Sequence, residues 1–180
     1  MSLLQKIKEF YYMNVKRDRV SYARKLGVRI GKNCQILTNP KVAFGTEPWL
    51  IKIGDNVRIN AGVNFITHDG GVWVLRKMKP ELSNIDLIKP ISVGDNVHIG
   101  TNVTIMPGVK IGNNVIVGLG AVVTKSIPDN SIVAGVPARV IETIDAYYEK
   151  HRNEFIFTKN LTKSEKKIYL KNKFQFFNES

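Results

Sequence analysis

Residues 53–70 read IGDNVR, INAGVN, FITHDG. An aliphatic or aromatic residue opens each group of six, often followed by glycine. The pattern returns at 93–110 as VGDNVH, IGTNVT, IMPGVK and at 111–128 as IGNNVI, VGLGAV, VTKSIP. Upstream, IGKNCQ, ILTNPK and VAFGTE from Ile30 keep the same phase. Self-similarity at a fixed short period is the mark of a solenoid. Each hexamer is read as one short strand plus a turn, and three hexamers complete a triangular coil that returns the chain above its starting point. The opening residue points inward, so Ile53, Val93 and Ile111 stack on one another, and stacking buries what one coil cannot. Val57, Val97, Val103, Val109 and Val115 in the fifth position suit the same core. Asn56, Gly62, Asn96, Gly108 and Asn114 tolerate the left-handed backbone that sharp corners require. An amphipathic helix is excluded, because its apolar residues recur at three and four, not at six.

The repeat fails in two places. After Gly70 the next hexamer in register opens only at Val93, and residues 71–92 between them carry Trp73, Arg76, Lys77 and two prolines. A connection that long without repeat character is commonly functional, and it is read as a loop extruded from the coil. A smaller break, TEPWLIK before Ile53, is read as relief of a corner.

Solenoid ends expose unpaired edges that must be covered. Leu3, Leu4, Ile7 and Tyr11 stand at helical spacing and are expected to cap the first coil. Residues 142–153 and 163–173 also have helical character, the second introduced by Thr162 and Glu165 as a capping box. The expected organisation is an N-terminal helical cap at 1–27, a repeat body at 28–141 and a basic helical tail at 142–180.

At 180 residues the chain suits one main body with appendages. Its single cysteine, Cys34, rules out an intramolecular disulfide and fits a reducing compartment as a buried thiol. Lysines near the start and the lack of an apolar run argue against a secretory signal, and no stretch approaches the ~20 apolar residues of a membrane span. A cytoplasmic protein is the expectation. The net charge of +12 is uneven, with Lys150, Arg152, Lys159, Lys163, Lys166, Lys167, Lys171 and Lys173 opposed by Glu154 and Glu165 in the tail. Solvated surface is the simpler reading of that tail, and a peripheral contact with anionic lipid stays open. Neither a nucleic-acid-binding fold nor aromatics interleaved on a basic face is present, so no nucleic-acid partner is expected.

The hexamers, the THDGG that opens the extruded loop, the VTK at 123–125 and the AGVPARVI at 134–141 together resemble the hexapeptide-repeat acyltransferases. The likeness is greatest to the sugar O-acetyltransferases of the galactoside, maltose and capsular polysaccharide type, over about residues 28–145. The resemblance implies an all-β-dominated fold, a left-handed parallel β-helix with a short N-terminal helix and a C-terminal helical tail. The handedness comes from the resemblance alone, since parallel crossovers are ordinarily right-handed. It also implies a homotrimer that binds acetyl-CoA as cosubstrate between neighbouring coils, a sugar acceptor and no metal.

Acyl transfer from a thioester needs a base that takes the acceptor proton and then protonates the leaving thiolate. Imidazole, with an ordinary pKa of ~6.5, does both near neutrality. Of three histidines, only His68 lies where a coil gives way to the loop, and the resemblance makes it the catalytic base. Asp69 is a candidate to orient its ring. Corner N–H groups would serve the oxyanion. Direct transfer is expected, because Cys34 is far from His68 in coil order and no serine pairs with a histidine. By resemblance, Thr101 and Leu119 meet the pantetheine arm, Thr124 and Lys125 lie near the adenosine end, and Arg139 contacts a phosphate. Glu142 stands where some relatives carry a second arginine. Trp73, Arg76 and Lys77 are acceptor-binding candidates, as is His98, which replaces a tryptophan common in the family. Two alternatives remain within this fold: N-acetylation of a nucleotide-linked amino sugar, and a zinc hydrase, for which His68 and His98 lack a third partner in the coils.

Overall fold

The first and fifth residues of the hexamers are the ones that leave solvent. Ile53, Val93, Ile111, Val57, Val97, Val103, Val109 and Val115 are all buried in a single apolar core. Each such side chain contributes ~1.5–3 kcal/mol relative to exposure. The computed structural model describes residues 3–16 and 18–175, which divide into two compact units with a boundary between Tyr147 and Tyr148.

In the first unit, helix α1 (Leu3–Phe10) continues through a π-helical turn (Tyr11–Val15) to α2 (Arg19–Leu26). The first coil holds β1 (Arg29–Ile30) and β2 (Gln35–Ile36), followed by the helical turn α3 (Pro40–Ala43). The second coil comprises β3 (Ile51–Ile53), β4 (Arg58–Ile59) and β5 (Asn64–Phe65). After an excursion containing α4 (Val72–Met78), the third follows as β6 (Ile91–Val93), β7 (Val97–Ile99) and β8 (Thr104–Ile105). The fourth has β9 (Lys110–Ile111), β10 (Val115–Val117) and β11 (Val122–Val123), and the stack closes with β12 (Ser131–Ala134) and β13 (Arg139–Thr143).

These strands form three walls. The first wall is β1-β3-β6-β9, the second β13-β12-β10-β7-β4-β2 and the third β11-β8-β5. Neighbours pair in parallel and in register one coil apart, as in Ile53↔Val93↔Ile111 and Phe65↔Ile105↔Val123, apart from the antiparallel pair β12–β13. The chain visits the walls in a fixed order, coil after coil, which makes the body a parallel β-helix.

The corners follow the residues expected there. Asn56, Asn96, Asn114 and Asn130 have φ of 55°, 55°, 53° and 58°. They form a ladder in which each Nδ2 donates to the next Oδ1, at 2.7, 2.9 and 2.8 Å. A second ladder runs beside it: the N–H of Lys32, Asp55, Asp95 and Asn113 donates to the side-chain oxygen one coil on, of Asp55, Asp95, Asn113 and Asp129. Glycine in the second hexamer position has a steric cause. A Cβ on Gly54 would lie 2.7 Å from the Gly94 carbonyl oxygen, so the coils approach too closely there for any side chain.

Three expectations are corrected. The hexamer VAFGTE does not continue the strand phase: Val42 is exposed and Phe44 is buried instead. Pro40 at the first helical position and Asn39, whose side chain accepts from Lys41 N, start a helical turn in place of a strand. Leu3, Leu4, Ile7 and Tyr11 do not cap the coil but are exposed. Helix α2 meets the first coil instead, with Ala23 in the core, and the buried Tyr22 stacks on the buried Tyr12 at 5.7 Å. At the other end, residues 142 and 143 are strand, because β13 pairs with β12 as far as Ser131↔Thr143, and helix α5 (Ile144–His151) starts after them.

In the second unit, α6 (Lys163–Lys173) opens on the capping box read from the sequence, with Thr162 Oγ1 accepting from Glu165 N and Glu165 Oε2 accepting from Thr162 N. No helix among the described residues is long and apolar enough to cross a membrane.

Candidate active site

The excursion leaves the coil at His68 and returns at Ile88, and its two ends are tied together. His68 and Ile88 form an antiparallel bridge, Asp69 N donates to Leu87 O at 2.9 Å and Lys89 N donates to Thr67 O at 2.8 Å. The segment between is not an irregular loop: α4 and a 3-10 turn (Pro80–Leu82) order it. The backbone around His68 is thus held from both sides, and the half-exposed imidazole projects from a fixed corner.

The imidazole Nδ1 is 2.9 Å from Glu47 Oε2. Glu47 belongs to the TEPWLIK break, where Pro48 begins a 3-10 turn (Pro48–Leu50). Thr67 Oγ1 donates to Glu47 Oε2 at 2.6 Å and Thr46 Oγ1 to Oε1 at 2.7 Å. These hydrogen bonds, Thr67's first, then Thr46's and the contact with His68, outweigh partial burial and hold the Glu47 carboxyl well below its ordinary value, at about 2. An ionised carboxylate accepts the Nδ1 proton and leaves the Nε2 lone pair free for chemistry.

Asp69 does not orient the ring. Its Oδ1 accepts from Gly71 N at 2.8 Å, closing the turn that enters α4. Adjacent residues on a corner point apart, and Glu47 supplies the carboxylate instead. His68 opens onto a pocket of 440 Å³, lined also by Thr46, Glu47, Trp73, Arg76, Asp86 and Ile88. Arg76 is fixed there by Asp86 and by the Ile85 carbonyl, which accepts from Nε at 2.8 Å. Trp73 keeps its ring largely exposed, while Lys77 is exposed and does not line the pocket.

The remaining candidates sit elsewhere on the solenoid. His98 is on the outer face of the second wall, in register between Arg58 and Ile116, with its Nε2 3.4 Å from Asn60 Nδ2. Partial desolvation on the wall and then the Arg58 charge push its pKa below the ordinary imidazole value. Thr101 and Leu119 share one ridge, between the second and third walls: Gly120 N donates to Thr101 O at 2.8 Å, and Leu119 is exposed. Lys125 and Arg139 line a second pocket, of 190 Å³, while the neighbouring Thr124 is exposed outside it. Thr124 and Lys125 turn from the third wall back to the first, as His68 does two coils earlier, about 10 Å away at the spacing of stacked strands. One chain therefore puts His68 and its Thr101–Leu119 ridge on different edges. Among the described residues no three His, Cys, Asp or Glu side chains come together as a metal site.

Comparison with known proteins bears on this geometry. The family described as Bacterial transferase hexapeptide (six repeats) matches residues 90–125. Protein CapG of Staphylococcus aureus is 51% identical over 162 residues, 90% of this chain and 91% of that protein. The chain belongs to the hexapeptide-repeat acyltransferases. Galactoside O-acetyltransferase of Escherichia coli strain K12 is 37% identical over 118 residues, 66% of this chain and 55% of that relative's length. A solved structure of galactoside acetyltransferase in complex with coenzyme A matches with a TM-score of 0.56 at 26% identity, covering 87% of this chain and 85% of that one.

In this hexapeptide acyltransferase the residue that the sequence reading missed is Glu47. The available signal was the phase break itself, since TEPWLIK precedes FITHDG by about one coil and carries the only acidic residue of its run. A carboxylate in a break that stacks against another break is placed to meet it.

Proposed function

We propose that the chain transfers the acetyl group of acetyl-CoA to a hydroxyl of a sugar or polysaccharide precursor, directly, with His68 as general base. The observation that carries this reading is the Glu47–His68 pair, both members of which line the 440 Å³ pocket. As the acceptor oxygen attacks the thioester carbonyl, His68 Nε2 takes its proton. The C–S bond then breaks, and the imidazolium returns that proton to the thiolate, releasing CoA as the free thiol. Glu47 holds the ring and its tautomer and offsets the transient positive charge; corner N–H groups receive the oxyanion. Trp73 and Arg76 bound the acceptor side.

Thr101, Leu119, Thr124, Lys125 and Arg139 are read as the binding surface for CoA, the last two toward its phosphates. The coenzyme A in the related galactoside acetyltransferase structure supports this donor, and the names of the relatives support a sugar acceptor. The separation of His68 from the Thr101–Leu119 ridge favours sites formed between subunits, as in a trimer of left-handed coils. His98 then faces an acceptor pocket only if a neighbouring subunit brings the second wall to it. The deciding experiment is a screen of sugar and amino-sugar acceptors with acetyl-CoA, read by free-thiol release. Release that depends on a hydroxyl acceptor and is abolished in His68→Ala supports the proposal. Release that depends only on amine acceptors overturns it.

A further inference from the structure

The apolar stripe of α1 faces away from the body that it was expected to cap. Leu3, Leu4 and Ile7 are 73%, 70% and 55% exposed, and Tyr11 continues the stripe at 48%. The opposite side of the helix is the one tied down: Glu9 Oε1 accepts from Asn39 Nδ2 at 3.1 Å, and Glu9 Oε2 lies 3.8 Å from Lys41 Nζ. The only acidic residue of LLQKIKEF is thereby turned toward the solenoid. At about 100° per residue, positions 6 and 8, both lysine in the sequence, fall on the two borders of the apolar stripe.

A helix with an apolar face, basic borders and low overall hydrophobicity is suited to lie in the plane of a lipid headgroup layer, its apolar side entering the acyl boundary. Aliphatic side chains at this exposure otherwise stay in water at a cost that burial would remove. The occupant is chosen by charge. LLQKIKEF carries two lysines against one glutamate, and that glutamate is engaged by Asn39 and Lys41, so an anionic leaflet would meet a basic helix. We propose that α1 is a peripheral membrane-binding element that docks the enzyme on anionic bilayers through Leu3, Leu4 and Ile7.

The test uses the full chain and flotation with vesicles of phosphatidylcholine alone or mixed equally with phosphatidylglycerol. The expected result is binding to the mixed vesicles that drops about tenfold on pure phosphatidylcholine and at high salt. The double variant Leu4→Asp with Ile7→Asp should lose a similar factor while keeping its circular dichroism spectrum. Leu4→Trp supplies a second readout, a blue shift of emission beyond the wild-type change on mixed vesicles only. Undiminished binding by the double variant overturns the proposal, because it assigns the lipid contact to another basic segment such as α6. So does an unshifted Leu4→Trp spectrum. A wild-type chain that ignores vesicles, with a double variant of lower assembly mass in sedimentation, also overturns it and makes the face a subunit contact.

Discussion

Glu47 Oε2 lies 2.9 Å from His68 Nδ1 although 21 residues separate them in the chain. The contact exists because one turn of the solenoid brings residues about a coil apart into vertical register, and because both residues sit where the hexamer rhythm is interrupted. Neither break alone brings a carboxylate to an imidazole, and stacking joins them.

On the proposed mechanism, replacing His68 with alanine removes the group that accepts the acceptor proton. Free-thiol release from acetyl-CoA should fall by about 10²–10⁴-fold. CoA affinity, measured by calorimetry, and assembly mass should stay at wild-type values. Unchanged turnover would remove His68 from the mechanism.

Glu47→Gln keeps the volume and removes the charge that, on the proposed mechanism, offsets the imidazolium. Neutralising the carboxylate beside a general-base imidazole costs up to about 10⁴-fold in a Ser-His-Asp site, and the loss should appear in kcat while KM for acetyl-CoA stays near its original value. A rise in KM with unchanged kcat would make Glu47 part of the binding surface instead.

The same carboxylate gives stability a pH dependence with a defined sign. Its pKa in the folded protein is about 2, against an ordinary 4.5. The group therefore contributes stability that is complete above about pH 4.5 and disappears as pH falls toward 2. Melting temperatures of wild type and Glu47→Gln should differ most near neutrality and converge across that acid window. A gap that stays constant would show that the Thr46 and Thr67 hydrogen bonds do not distinguish the ionised form.

Asn96 combines a φ of 55° with two rungs of the ladder, accepting from Asn56 and donating to Asn114. Asn96→Ala should cost about 1–3 kcal/mol in urea unfolding, since it incurs the left-handed penalty and breaks both rungs. Asn96→Gly relieves the first cost and should recover part of the loss. Equal losses in the two variants would assign the whole effect to the hydrogen bonds.

If Lys125 and Arg139 hold the phosphates of the donor, Lys125→Ala and Arg139→Ala should each raise KM for acetyl-CoA about tenfold and leave kcat alone. A donor lacking the nucleotide portion should be indifferent to both changes. Sensitivity of that truncated donor would place the two residues nearer the thioester.

Much of the wall was legible because its cause is periodic. Ile53, Val93 and Ile111 repeat a single burial requirement, and Asn56, Asn96 and Asn114 repeat a single backbone requirement. The site was legible only in part, because it lies where periodicity stops. His68 stands at the long break, but the partner of its ring is not its sequence neighbour Asp69, because corner geometry turns neighbours apart and stacking supplies Glu47. Val42 misled for a related reason: it fits the hexamer phase, yet Pro40 and Asn39 start a helical turn that overrides it. The stripe of Leu3, Leu4, Ile7 and Tyr11 showed that a helix forms but not which side meets the coil, which is settled by Glu9 reaching Asn39 and Lys41.

The excursion interrupts the solenoid between its second and third coils, yet Ile51 still pairs with Ile91 and Ile53 with Val93 across it. Because the wall resumes its register as though nothing had been inserted, the inserted segment answers to a different set of demands from the rest of the chain. Its length and side chains are free to diverge, taking Trp73 and Arg76 with them, while the rungs on either side go on specifying the same tower. In this architecture the pocket beside His68 and the durability of the scaffold are heritable separately.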